Sequence, residues 1–161
     1  EAQLSQFQTD LIVDSNALNA RALSRDVLFA DKLLLVCRKN HPALHEPATV
    51  ENLQRYEQTL LLMEGQNLNG LRQRINDIFP ERLVNFSSYN IFTIAALIGS
   101  SDLLGIIPER LFDQVRQCWP VDQIPFAPLN AESVEISLYY NKLSLQDPVL
   151  ENMITIIRQA F

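Results

Sequence analysis

The chain has 161 residues, 47% of them hydrophobic, and a net charge of −6. That length suits one domain or two small lobes, and that apolar share supports a packed core. With no basic stripe and no Arg/Lys run, the composition argues against direct binding of nucleic acid by this segment. No apolar stretch approaches the ~20 residues of a membrane span.

In chain order, Glu1-Ala2-Gln3-Leu4-Ser5-Gln6-Phe7 looks like the last turns of a helix. No start signal and no initiator Met precede it, so the chain reads as a piece of a longer protein. Residues 9–14 make a short strand, and the apolar run within 27–38 makes a second. That run leads into Cys37, His41 and His45, spaced by four. On a helix the three would share a face and offer a zinc ion three ligands. Pro42 would cost such a helix about 3 kcal/mol, and Asn40 ahead of His41-Pro42 is a turn signal. Cys37 is therefore read as a strand residue, the histidines as turn residues, and no metal is assigned. Cys37 reads as core and Cys118 as a helix end, which argues for a reducing compartment.

Thr49 is the N-cap of a short helix, and 58–63 is a strand. The turn Glu64-Gly65-Gln66-Asn67 precedes a helix marked by Leu68, Leu71, Ile75 and Phe79 and stopped by Pro80. A strand over 82–86 is followed by the turn Ser87-Ser88-Tyr89-Asn90 and a helix over 91–99. A strand over 103–108, a helix over 109–117 and strands over 124–129 and 134–140 complete the alternation. Asp147-Pro148 is an N-cap with proline at the first helical position, and Leu150, Met153, Ile154, Ile157 and Phe161 form the last helix's stripe. Alternating strands and helices predict an α/β architecture with mostly parallel sheets. Pro120, Pro125 and Pro128 mark a connector between parts.

No nucleophile–base arrangement, zinc-protease motif or C-x-x-C is present, and four glycines leave no phosphate-cradling loop. The two polar turns at 63–67 and 87–90 are more informative, since each joins the end of a strand to the start of a helix. Ligands of α/β sheets bind beyond the carboxyl ends of strands, where helix N-termini offer free N–H groups. The same residues also serve as ordinary caps, so pattern alone leaves both readings open. The helix at 91–98 is apolar nearly all round. Ile91, Ile94, Ala95 and Ile98 form one face, and Phe92 and Ala96 another, as expected of deep burial or of an interface.

Together these segments resemble the effector-binding domain of bacterial LysR-type transcriptional regulators. Asp10-Leu11-Ile12-Val13 is similar to the family's DLxI strand. Leu28-Phe29-Ala30-Asp31-Lys32-Leu33-Leu34-Leu35-Val36 with Asn40-His41-Pro42-Ala43-Leu44 is similar to its LFxDxLVLVxxxxHPLA segment. Gly99 with Leu104-Gly105-Ile106-Ile107-Pro108-Glu109-Arg110-Leu111 resembles a later GxxxxxxPxxL stretch, in the form met among nodulation regulators and LeuO-like proteins.

The resemblance implies a two-lobed fold like that of type II periplasmic binding proteins, with a ligand held between the lobes. Lobe I would take 1–42 and 123–161, incomplete at its N-terminal side, and lobe II 43–122. His41-Pro42 would be the first crossover, and Pro120 to Pro128 would accompany the return. The implied effector residues are Ser15, Met63, Glu64, Gln66, Ser88, Tyr89, Asn90 and Ile106. Glu64 would disfavour a carboxylate nearby unless paired or protonated. The implied dimer interface uses Ile91, Phe92, Ala95 and Ala96.

The implied function is that of a cytoplasmic sensor, neither an enzyme nor a cofactor carrier. It would bind a small, often aromatic effector and shift between two states. It would act as a homodimer or tetramer in the full-length protein, on DNA only through an N-terminal helix-turn-helix outside this chain, and at no membrane. A transporter's solute-binding protein of the same fold is the alternative.

Overall fold

The computed structural model describes the chain except residues 1, 7, 16, 17, 19, 20, 64 and 65, and side chains except also those of 3, 5, 66, 67 and 144. The chain forms two compact units. Unit 1 comprises Glu1–Ala30, Gly65–Asn67 and Glu135–Phe161, and unit 2 comprises Asp31–Glu64 and Leu68–Val134. The lobe boundaries implied above, 42/43 and 122/123, both fall within unit 2.

The elements are α1 (Ala2–Ser5), β1 (Leu11–Asp14), β2 (Leu23–Arg38), α2 (Val50–Leu53), β3 (Gln58–Leu61), α3 (Gln66–Ile78) and β4 (Val84–Ser88). They continue with α4 (Ile91–Ser100), β5 (Leu104–Pro108), α5 (Glu109–Val115), β6 (Val121–Ile124), α6 (Ala127–Asn130), β7 (Ser133–Asn141) and α7 (Pro148–Gln159).

Unit 2 is built on the second half of β2. Leu33, Leu34, Leu35, Val36 and Cys37 are all buried, and full burial of each large side chain contributes about 1.5–3 kcal/mol. A run buried on both faces needs cover on both. On one face Leu34, Val36, Leu61, Ile107 and Val121 pack with Ile94, Ala95 and Ile98 of α4 and Phe112 and Val115 of α5. Alternation turns Leu33 and Leu35 to the other face. There Leu33 shares a pocket wall with Leu68, Leu71 and Ile75 of α3, the stripe expected from spacing.

The strand order in unit 2 is β6-β2-β5-β3-β4. The direction of pairing corrects the expectation of a mostly parallel sheet. β3 is parallel to β4 and β5, but β2 is antiparallel to both β5 and β6. An apolar run specifies burial of both faces, not strand direction. The strand expected over 124–129 is also corrected: β6 ends at Ile124, and α6 follows with Pro128 in its first turn. Pro125 and Pro128 lack the N–H that a ladder requires, whereas a proline in a helix's first turn loses no bond.

Unit 1 holds β1, β7 and the first half of β2, with β1 antiparallel to β7. Leu138, Tyr140 and Ile154 pack with Leu11, Leu28 and Ile157. β2 begins at Leu23, ahead of the strand start expected at residue 27. The added residues are polar and satisfied across strands: Arg25 Nε donates to Ser137 Oγ at 3.0 Å. α7 starts as expected, with Asp147 accepting from the Val149 N–H at 2.9 Å. Its stripe is narrower than expected, because Met153 and Phe161 are exposed. Phe161 instead stacks on Phe29, ring centroids 5.2 Å apart. Among the described residues no helix is long and apolar enough to cross a membrane.

Candidate functional site

In unit 2, three parallel strands bring their carboxyl ends to one edge. The register aligns Leu60 with Ile106 and Leu61 with Ser88. The Leu62 N–H donates to the Ser88 carbonyl at 2.8 Å, carrying that alignment past the end of β3. Met63 therefore follows β3, Ser88-Tyr89-Asn90 closes β4, and Pro108 closes β5.

The turn after β4 is organised by its own side chains. Asn90 Oδ1 accepts from the N–H groups of Phe92 at 2.9 Å and Thr93 at 3.4 Å, and so caps α4. The Asn90 N–H in turn donates to Ser88 Oγ at 3.0 Å. What these two residues can still offer a ligand is the Ser88 hydroxyl proton and the Asn90 amide N–H2. Tyr89 stands between them with 66% of its surface exposed, free to stack on a ring.

The other implied residues distribute as follows. Ile106 and Met63 are half-buried and line one apolar pocket against α3. Ser15, half-buried, directly follows β1 in unit 1. Glu64 lies outside the described residues, as does the side chain of Gln66, which opens α3. On α4, Ala95 is buried in the core of its own unit and Ile91 packs against that core, while Phe92 is 55% exposed and Ala96 half-buried. A partner on this helix would therefore meet Phe92 and Ala96, not Ala95. The reason is helical spacing, which puts Ala95 beside Ile91, Ile94 and Ile98.

The Cys37–His41–His45 spacing resolves into turn chemistry. His41 is fully buried and caps a 3-10 turn over Pro42–Leu44. Its Nδ1 accepts from the Ala43 N–H at 3.0 Å, which leaves Nε2 protonated to donate to the Asp102 carbonyl at 3.2 Å. Its ring meets Tyr56 edge-on, centroids 4.7 Å apart. Burial, aided by nearby Asp122, pushes the Cys37 thiol up to about 12, far from the thiolate a metal needs. Among the described residues no three His, Cys, Asp or Glu side chains gather as metal ligands.

Three residues gain roles that spacing did not suggest. Asp31 is buried on β2, and its Oδ1 accepts from the Arg110 N–H at 3.2 Å at the start of α5. Burial raises its carboxyl above the usual range, against the lowering effect of that bond. Arg72 and Arg82 line the pocket that holds Met63 and Ile106. Arg72 sits one turn beyond Leu68, and a cation beside an apolar stripe is the only signal that could have drawn attention to it.

Asp31 yields a test with a definite sign. A carboxyl raised on folding contributes stability that is complete below its unfolded pKa of about 3.9 and is lost as pH rises through the folded value. Asp31→Asn keeps the acceptor oxygen and removes the titration. The urea midpoint of the parent, relative to Asp31→Asn, is expected to fall as pH rises from about 4 to 7. Asp31→Ala also removes the acceptor of the Arg110 N–H, at about 1 kcal/mol. A parent–Asn difference that stays flat with pH would refute the role of Asp31.

The chain is similar to known proteins along its whole length. A family model described as LysR substrate binding domain matches residues 1–161. An uncharacterized HTH-type transcriptional regulator of Escherichia coli strain K12, YbeF, is 48% identical over 161 residues, covering 100% of this chain and 51% of that protein. SyrM, an HTH-type transcriptional regulator of Rhizobium meliloti strain 1021, is 25% identical over 146 residues, covering 90% of this chain and 44% of that protein. The chain thus spans about half the length of the curated relatives it matches. Among solved structures, the regulatory domain of MexT, a transcriptional activator in Pseudomonas aeruginosa, superposes with a TM-score of 0.78 at 12% identity, covering 99% of this chain and 76% of that one.

Proposed function

The chain belongs to the LysR substrate binding domain family, and we propose that it is the effector-sensing part of a DNA-binding transcriptional regulator. The family is one of transcriptional regulators, and three curated relatives carry HTH-type in their names. DNA contact falls to a helix-turn-helix elsewhere in the longer protein, in keeping with this chain's net charge of −6. It works in the cytoplasm, without a cofactor and without catalysing a reaction.

The observation that carries the sensor reading is the shared edge of β3, β4 and β5. There Met63, Ser88, Tyr89 and Asn90 collect at strand ends, the place where α/β sheets bind ligands. A small effector held there shifts the domain between two states only in proportion to its differential affinity for them. On this reading the full-length protein also pairs with a second copy. Exposed Phe92 on α4, with exposed Val84 and Phe86 on the edge strand β4, supplies an apolar surface for a second copy.

The test begins with the gene upstream of the Glu1 codon. An encoded helix-turn-helix is expected. A secretory signal in its place would overturn the reading and make the protein a transport receptor. The full-length product is then titrated by calorimetry with a panel of small aromatic acids and alcohols. Tyr89→Ala, which removes no side-chain hydrogen bond among the described residues, is expected to weaken the best ligand roughly tenfold by loss of stacking. Unchanged affinity in that variant would refute the assignment of the turn.

A further inference from the structure

Between α3 and the sheet of unit 2 lies a pocket walled by Leu33, Leu60, Leu71 and Ile106, with Arg72 and Arg82 the charged residues in its lining. Six of the chain's other eight arginines are paired with acids. Arg25, Arg38, Arg55, Arg74, Arg116 and Arg158 each hold a carboxylate within ion-pair distance. Among the described residues, no carboxylate pairs with Arg72 or Arg82. Among the described residues the Arg72 guanidinium has one hydrogen bond, from Nη2 to the Met63 carbonyl at 3.4 Å, and the Arg82 guanidinium has none. Both are half-buried. Burial lowers the Arg82 guanidinium from its ordinary value, and the charge of Arg72 lowers it further.

Two like charges at the border of an apolar pocket are unfavourable in the empty protein. An anion between them would be favoured, because each guanidinium presents a fork of donors that matches a carboxylate. The pocket is small, and most of its lining is aliphatic. A single alkyl chain with one charged end suits such a lining.

We propose that this pocket binds a slim amphipathic monocarboxylate, its chain along Leu33, Leu60 and Ile106 and its carboxylate on Arg72 and Arg82. The pocket meets the candidate site at Met63 but does not include Tyr89, and the proposal rests on the sensor reading only in treating this ligand as an effector. Of the acids nearby in sequence, Glu64 lies outside the described residues, while Asp77 accepts from Gln73 and Glu81 from Gln54.

Calorimetric titration of the whole chain with sodium octanoate tests the assignment. Saturable one-site binding is expected, at least tenfold tighter than for octan-1-ol, which lacks the charge, or acetate, which lacks the chain. Arg82→Gln and Arg72→Gln are each expected to weaken octanoate roughly tenfold or more, the value of a hydrogen bond to a charged group, and to leave octanol unchanged. Arg82→Gln loses an unpaired cation and is expected to melt no lower than the parent; if it does not fold, Arg72→Gln carries the comparison. Absence of saturable octanoate binding, equal affinity for octanol, or a folded variant that binds octanoate as the parent does would each overturn the proposal. Octanoate binding that leaves promoter affinity of the full-length product unchanged would uphold the pocket and count against the sensor reading alone.

Discussion

Replacing His41 by alanine is expected to destabilise unit 2 by about 3–4 kcal/mol, read as a fall in the urea midpoint at constant slope. The ring is fully buried, so its removal leaves a cavity of the kind that costs about 3–5 kcal/mol for larger aromatic side chains. The change also strands two backbone groups, one buried and one part-buried. The Ala43 N–H loses its acceptor and the Asp102 carbonyl its donor, at about 1 kcal/mol or more each where water cannot replace them. Local relaxation around the turn offsets part of this sum.

His41→Asn separates the two halves of the role. Its short side chain can still cap the turn through Oδ1, but it cannot span the 3.2 Å bond that Nε2 makes to Asp102 or meet the Tyr56 ring. It is expected to recover about 1 kcal/mol. EDTA is expected to leave the parent's midpoint unchanged, because both ring nitrogens are already engaged within the protein. A chelator-dependent midpoint would revive the zinc reading of the Cys37–His41–His45 spacing, and an alanine variant as stable as the parent would remove the clamp.

Much of this was legible in the chain before any coordinates. The α3 stripe of Leu68, Leu71, Ile75 and Phe79 is buried as its spacing demands. Asn90 and Asp147 cap the helices they precede. Cap and stripe signals are local, so a single segment carries them whole. What failed depends on partners distant in sequence. β2 pairs antiparallel with both β5 and β6, and nothing in Leu33-Leu34-Leu35-Val36 encodes direction.

The early start of β2 was hidden for a related reason. Ser24, Arg25 and Asp26 are polar, and distant partners, among them Ser137, Glu135, Tyr140 and Arg158, make them good strand residues. At the candidate site, sequence could nominate Ser88, Tyr89 and Asn90 as turn residues. It could not reveal that Ser88 and Asn90 spend part of their bonding capacity on each other and on α4. Nor could it show that Arg72 and Arg82, ten positions apart, line one pocket.

Gly105→Ala is expected to destabilise unit 2 by about 2–3 kcal/mol, although alanine is ordinarily the better strand residue. A Cβ at this position would lie 2.3 Å from Ile98 Cδ1 and 2.9 Å from Thr59 Oγ1. Glycine is needed here for close approach, since α4 crosses the sheet against β5 at this point. The reduced freedom of the unfolded chain favours alanine by only about 0.4–1 kcal/mol. Overpacking in a dense core costs about 1–3 kcal/mol. Displacing Thr59 Oγ1 also puts at risk its 3.2 Å bond to the Leu104 carbonyl, worth about 1 kcal/mol.

The steric cause is testable by a double-mutant cycle. Ile98→Val removes the Cδ1 atom that the new Cβ would strike and alone costs about 0.5–1.5 kcal/mol. In the double variant the valine makes room for the alanine. The combined loss is therefore expected to fall short of the sum of the two by about 1 kcal/mol or more, within the range seen for contacting residues. Strict additivity would show that Ile98 yields without cost, and that the glycine is held by something other than the crossing of α4.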